Sequence, residues 1–260
     1  MTTISENNGN NYRYVRRSSE EAELGYILAT AASAAVLKAL PSFSNPFEKQ
    51  ITKEWANNHL YKDIFVKSVA KSGLTDKGLK IANIWGNSDI GRGLNACYNS
   101  AERVISLNLD KTSIAGFHEL GHAMNHLNSK VGKFLQKLRG PGYALVGLMG
   151  TIAVLGRNKP KGADRNLFDW VQDNCGKIAF VAMLPTVVEE ALASHKGIKL
   201  AKQAGLSDAL VKNLKKFYGK ALMSYGGYAL LAGVSTFVAS KITEMFTRPR
   251  KVEMPNSNLI

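Results

Sequence analysis

The sharpest chemistry in the sequence sits in five residues, His118-Glu119-Leu120-Gly121-His122. On an α-helix, positions i and i+4 share one face, a turn apart. Two imidazoles there can reach one Zn²⁺ at about 2.0–2.1 Å. Glu119 points slightly off that line, where it can hold a water without binding the metal. This is the layout of a zinc peptidase. The metal acidifies the water and polarises the scissile carbonyl, while the glutamate takes the water's proton and passes it to the leaving amine. Zn²⁺ is therefore the expected cofactor, His118 and His122 the expected ligands and Glu119 the expected catalytic base.

A catalytic zinc needs a third protein ligand. His126 lies one turn further on, but three histidines on one straight helix spread over about 12 Å and cannot meet one ion. A longer histidine pattern would need histidine at position 128, which is Asn128. The donor must come from further along the chain. The best stretch is Glu189-Glu190-Ala191-Leu192-Ala193-Ser194-His195, at the end of an apolar run containing Pro185. Two carboxylates at that place are costly to bury unpaired, and a metal would compensate one of them. Spacing alone leaves Glu189 and Glu190 both open.

These side chains need elements to hold them. Asp110 or Thr112 can cap a helix through about residue 128 that carries the motif. Before it, residues 104–109 alternate, with Ile105, Leu107 and Leu109 on one face and Ser106 and Asn108 on the other. With residues 81–85 they read as a hairpin, and 104–109 as an edge strand beside the cleft. Turn chemistry at Tyr98-Asn99-Ser100-Ala101-Glu102 precedes the strand. Residues 47–75 carry Ile51, Trp55, Leu60, Phe65 and Val69 at roughly helical spacing; His59 among them reads as structural.

Four apolar stretches complete the pattern, at 22–40, 142–156, 177–188 and 221–240. Only the last, 20 uncharged residues between Lys220 and Lys241, has the length of a membrane span. The expected organisation is a flexible polar tail over 1–20, one domain over 21–245 and a basic tail over 246–260. The fold class follows: mainly α, with a small antiparallel β hairpin or sheet of an α+β zincin-like core and an apolar, membrane-embedded helical bundle.

Composition narrows the function. Lys and Arg number 34 against 20 Asp and Glu, a net charge of +14, which favours anionic partners. The basic residues come in short groups beside apolar stretches, such as Lys130, Lys133, Lys137 and Arg139, as at a cytoplasmic membrane surface. No zinc knuckle, aromatic platform or basic arm points to nucleic acid. Two cysteines exclude a disulfide scaffold and a four-thiolate zinc site.

The run Asn99-Ser100-Ala101-Glu102-Arg103-Val104-Ile105-Ser106-Leu107-Asn108, the motif at 118–122, Leu184-Pro185 and Glu190-Ala191-Leu192-Ala193-Ser194 together resemble the bacterial membrane-associated neutral zinc metallopeptidases. More distantly they are similar to the membrane gluzincins typified by the CAAX prenyl endopeptidase and the heat-shock membrane protease. The likeness covers roughly residues 80–240. It implies that Glu190, which opens the family's Glu-x-x-Ala-(Ser/Asp) pattern, is the third ligand, with Glu189 the alternative, and that Ser194 supports the ligands from behind. The function implied is a zinc-dependent endopeptidase acting on peptides or proteins at the cytoplasmic membrane, its site facing the cytosol. The apolar stretches between His122 and Glu190 are shorter than typical spans, and their connector carries four basic and three acidic residues, which disfavours export. The competing class is a non-catalytic membrane or lipid-binding protein with a structural or vestigial zinc site, or a soluble cytoplasmic chain. Glu119 separates the two, since a structural site has no use for an unligated acid beside its ligands.

Overall fold

A computed structural model describes residues 3–4, 12–38, 49–161 and 163–253. The chain is mainly α-helical with little sheet, as expected. It divides into two compact units, Leu40–Gly142 with Met183–Tyr228, and Met1–Ala39 with Tyr143–Ala182 and Ala229–Ile260. We call the first the site unit and the second the apolar unit. The expectation from sequence was one domain over 21–245.

In the site unit, helix α2 (Asn58–Lys71) is followed by strand β3 (Lys80–Asn83), a helical turn α3 (Asp89–Arg92), strands β4 (Cys97–Asn99) and β5 (Val104–Leu107), and helix α4 (Ser113–Asn128). Helices α5 (Lys130–Ala153), α6 (Leu167–Gln203) and α7 (Asp208–Thr247) each give one stretch to it. The helix expected over 47–75 is broken by the 3-10 turn Trp55–Asn57. The sheet order is β3-β5-β4. Two expectations are corrected here. β3 and β5 run parallel, Ile81 opposite Ile105, so they are not a hairpin. β5 is also the central strand, and the short antiparallel β4 lies at the edge. Ile105 and Leu107 are fully buried, which suits a strand paired on both sides.

The alternation read from sequence stops at Leu107. Asn108 is itself buried, donating from Nδ2 to the Gly91 carbonyl at 2.7 Å and accepting the Asp110 N–H at 3.1 Å. Around the sheet the core is built of large side chains. Tyr61, Phe65, Ile105, Leu107, Ile114, Phe117, Leu120, Leu214 and Phe217 are all buried, and Phe65 meets Phe117 edge-on at 5.5 Å. Burying such a side chain contributes about 1.5–3 kcal/mol, so α2, β5, α4 and α7 are fixed around one another.

The apolar unit holds helix α1 (Ser19–Leu37) and the remaining stretches of α5, α6 and α7. The capping box Ser18/Glu21 starts α1. The stretches expected at 22–40, 142–156, 177–188 and 221–240 fall on α1, α5, α6 and α7, which run beyond them into polar sequence; residues 39 and 40 lie outside the described residues. Strands β1 (Thr3–Ile4), β2 (Tyr12–Val15) and β6 (Arg250–Glu253) form an antiparallel sheet in the order β1-β2-β6. Of the stretches expected as tails, 1–20 and 246–260, the described residues contribute these paired strands, and residues 1–2, 5–11 and 254–260 lie outside the described residues.

Candidate metal centre

Helix α4 carries His118, Glu119 and His122 near its middle, and α6 brings Glu189, Glu190 and Ser194 to the same place. The two helices approach closely because small residues face each other. A Cβ on Gly121 would sit 1.9 Å from the Ala193 carbonyl oxygen, and one on Gly197 would sit 2.1 Å from that of Phe117. On α6, Glu190, Ala193, Ser194 and Gly197 recur at helical spacing and share one face. The glycine inside the motif therefore sets how near α6 can come, and so how near Glu190 stands to the histidines.

Three atoms converge there. His118 Nε2 is 2.9 Å from Glu190 Oε2 and 3.0 Å from His122 Nε2, and His122 Nε2 is 3.4 Å from Glu190 Oε2. The opposite ring nitrogens face outward, His122 Nδ1 to Glu189 Oε1 at 2.9 Å and His118 Nδ1 to Ser194 Oγ at 3.1 Å. Facing a carboxylate, His122 Nδ1 carries the proton, which leaves the Nε2 lone pair pointing inward. A proton on His118 Nδ1, given to Ser194, does the same for His118. Three lone pairs at such range repel unless a cation lies among them. Ligand atoms around a tetrahedral zinc stand about 3.3 Å apart for bonds of about 2.0–2.1 Å, so the triangle fits a metal ion, and both His118 with Glu119 and His122, and His122 with the two glutamates, are close enough to share one. Without a metal a proton fills the role. Burial lowers the His122 pKa, but the Glu189 and Glu190 carboxylates outweigh it and raise it to about 10. Glu190 is also penalised by burial, yet the two imidazoles hold its carboxyl well below the usual range.

Glu189 and Glu190, alternatives in the sequence, take different places. Glu190 Oε2 lies in the triangle. Glu189 is fully buried behind His122, where Asn125 Nδ2 donates to its Oε1 at 2.9 Å, Gln136 Nε2 to the same oxygen at 2.8 Å and Arg139 to Oε2 at 3.2 Å. A carboxylate on the outer nitrogen of a metal-binding histidine fixes its tautomer and ring orientation. Arg139 also places Nη2 2.9 Å from Glu190 Oε1. Asn125, Gln136 and Arg139 were not read as site residues. Asn125 could have been, since it lies three residues after His122 and so near its face of α4; Gln136 and Arg139 reach the site from α5, and no local pattern announces them. His126 stands apart, its Nδ1 2.9 Å from the Tyr98 hydroxyl.

Glu119 is 9% exposed. Burial pushes its carboxyl up, against the pull of His122 and His118 and a hydrogen bond from the Tyr98 backbone N–H. Tyr98 belongs to the edge strand, so β4 touches the acid directly. A cavity of about 470 Å³ opens over the site, bordered by Ala96, Cys97 and Tyr98 of the edge strand region and by Tyr218 and Tyr225 of α7. The Tyr218 ring lies 5.3 Å from His118 and its hydroxyl donates to the Ile114 carbonyl at 2.6 Å.

The chain matches no family model, no curated protein and no solved structure. What the site can do rests on its own geometry: it can hold a divalent cation by two imidazoles and a carboxylate, with a buried acid of raised pKa beside them at the floor of a cavity.

Proposed function

We propose that the chain is a zinc-dependent endopeptidase of gluzincin type acting at the cytoplasmic membrane. The observation that carries this reading is the convergence of the His118, His122 and Glu190 lone pairs beside a buried acid outside the triangle. When bound, zinc supplies a Lewis acid that polarises a carbonyl and lowers the pKa of water. The chain's own residues supply the rest. Glu119, its carboxyl pushed up by burial, accepts a proton and returns it to the leaving amine. Glu189 and Ser194 hold the two imidazoles in the tautomer that faces inward. The edge strand β4 borders the cavity, and an extended peptide pairs there with main-chain groups other than the Tyr98 N–H that Glu119 takes, which gives affinity with little sequence preference.

The membrane part of the reading draws on the apolar unit. Among the described residues, α7 is the one helix long and apolar enough to cross a membrane. Lys130, Lys133, Lys137 and Arg139 follow α4 closely, and cytosolic segments are the ones enriched in such residues.

Metal analysis and proteolysis on the purified protein and on Glu119→Gln test the chemistry together. One zinc per chain is expected in both, with activity at least ~100-fold lower in the variant. Zinc lost with Glu119→Gln, or activity retained, would refute the role given to Glu119. Replacing Glu190 should cost more zinc than replacing Glu189, and equal retention would refute the ligand set. Recovery of the protein in the soluble fraction at low salt would refute the membrane association and leave the zinc chemistry standing.

A further inference from the structure

Within the apolar unit, Arg157 follows α5 and is 5% exposed. Its Nη2 donates to the Gln172 carbonyl at 3.0 Å and to Ser240 Oγ at 2.7 Å. Among the described residues its buried Nε and Nη1 have no hydrogen-bond partner, and neither has Nε of Arg248. A guanidinium buried this deeply normally has its donors filled, because a buried donor left without a partner is costly. Arg157 borders a crevice that Lys159, Arg165 and Arg248 also line.

The acids at this place do not balance the bases. Asp173 serves three guanidiniums, Arg165 at 2.8 Å, Arg248 at 3.7 Å and Arg157 at 3.9 Å. Asp169 is taken by Lys159 at 2.8 Å. Glu244 is shared by Lys241 at 2.7 Å and Arg248 at 2.9 Å. Five cations thus meet three carboxylates. The crevice has about 20 Å³ of room, enough for one oxygen the size of a water. An anion with several oxygens would seat one inside beside Arg157, a small shift of whose side chain brings an empty donor onto it, and rest the others on Arg165 and Lys159, which are 54% and 44% exposed. Arginine forks match phosphate oxygens better than they match a single point charge.

We propose that this crevice is a binding site for a phosphate group, and that a phospholipid headgroup supplies it. The source is argued from the surroundings. Leu167, Phe168 and Trp170, in the first turn of α6 beside Asp169, are exposed apolar and aromatic side chains, the kind found at the level of lipid headgroups. The proposal does not depend on the zinc chemistry.

The test uses the full chain in maltoside micelles, whose headgroup carries no phosphate, and then vesicles. Vesicles of digalactosyldiacylglycerol, a bilayer lipid without phosphate, carrying phosphatidic acid are compared with digalactosyldiacylglycerol vesicles brought to the same surface charge by oleate. The wild type should bind the first about tenfold more tightly, the effect of one charge-assisted contact set. Arg157→Gln should abolish the preference. Because that buried change can unfold the chain, Lys159→Gln with Arg165→Gln, at exposed positions, should abolish it as well. Lys212→Gln with Lys215→Gln, which removes as much charge from the site unit, should leave the preference intact. Equal binding to both vesicles by the wild type, or a preference that survives Lys159→Gln/Arg165→Gln, overturns the lipid site. Inorganic phosphate is the second arm. If it raises the Tm in micelles over chloride of equal ionic strength while the vesicles are not distinguished, the lipid source is overturned and a soluble phosphate takes its place. No effect in either arm overturns the phosphate site altogether.

Discussion

The two units bury opposite kinds of side chain. In the site unit the interior is aromatic and branched, with Tyr61, Phe65, Ile114, Phe117, Leu214 and Phe217 all at or near zero exposure. In the apolar unit the buried positions are mostly small, Ala29, Ala153, Cys175, Ala179 and Ala239 with Met149. Its large residues face outward: Ile27 is 59% exposed, Leu148 53%, Val181 57%, Leu230 55% and Phe237 51%. Gly176 and Gly233 meet there, each under the backbone oxygen of the other's helix. Water drives large apolar groups inward. A hydrocarbon solvent gives no such drive, and helices then associate through small residues that let backbones approach. The small-inside, large-outside arrangement of the apolar unit is what the proposed membrane association requires, and the site unit has the opposite arrangement.

The largest expected effect comes from breaking that contrast outright. Replacing Ile27, Leu148, Val181 and Phe237 together by glutamate should release the protein from the membrane fraction, since each charge costs about 2.5–3.5 kcal/mol near a bilayer centre. Zinc content should stay at one per chain, because none of the four touches the metal triangle. A quadruple variant that still sediments with membranes would show that the outward apolar face is not the anchor.

Truncation sharpens the comparison next. Phe65→Ala removes a fully buried ring from the site unit and should cost about 3–5 kcal/mol, read as a lower denaturation midpoint. Phe237→Ala, at a half-exposed position of the apolar unit, should cost under ~0.5 kcal/mol in the same titration. The reverse substitution inverts the ranking: Ala179→Leu forces extra volume into the close-packed small-residue interior and should cost about 1–3 kcal/mol. Equal effects of Phe65→Ala and Phe237→Ala would erase the distinction between the units.

Within the site unit, the two neighbouring glutamates can be separated. Glu189→Gln keeps the shape behind His122 but removes the charge that fixes its inward nitrogen. Zinc affinity should fall about 10–100-fold by competition with a chelator, with the ligand count unchanged.

How legible all this was in the sequence depends on the range of the interaction. The motif helix and the four apolar stretches were visible because helical spacing and run length are local. The pairing of β3 with β5 was misread because parallel and antiparallel strands have similar composition, and β4, three residues long, looked like a turn. Glu190 was singled out from Glu189 only by resemblance. The physical cause of their difference is the meeting of Gly121 with Ala193, a contact across 72 residues that neither local pattern contains. The small-inside, large-outside arrangement of the apolar unit was hidden for a similar reason: a run of apolar residues does not say which face will be covered.

The smallest expected effect concerns how the motif helix begins. Thr112 stands at the N-cap of α4 but makes no side-chain cap; its hydroxyl goes back to the Asn108 carbonyl at 2.9 Å. The cap comes instead from α2. Asn58 is buried, its Oδ1 accepting the Ser113 N–H at 2.7 Å and its Nδ2 donating to the Leu109 carbonyl at 2.7 Å. In Asn58→Ala the Leu109 carbonyl keeps the Ser113 hydroxyl, but the buried Ser113 N–H is left without that partner. The cost should be about 1–2 kcal/mol, a fall in Tm of about 2–4 °C per kcal/mol for a domain of this size. Asn58→Asp restores the acceptor and puts a negative charge at the positive end of the helix, so it should recover part of the loss. The zinc content should not change in either variant, because the cap acts on the first turn while His118 is held by its packing and by Ser194 and Glu190. A fall in zinc occupancy with an unchanged Tm would mean that the start of α4 positions the metal ligands directly.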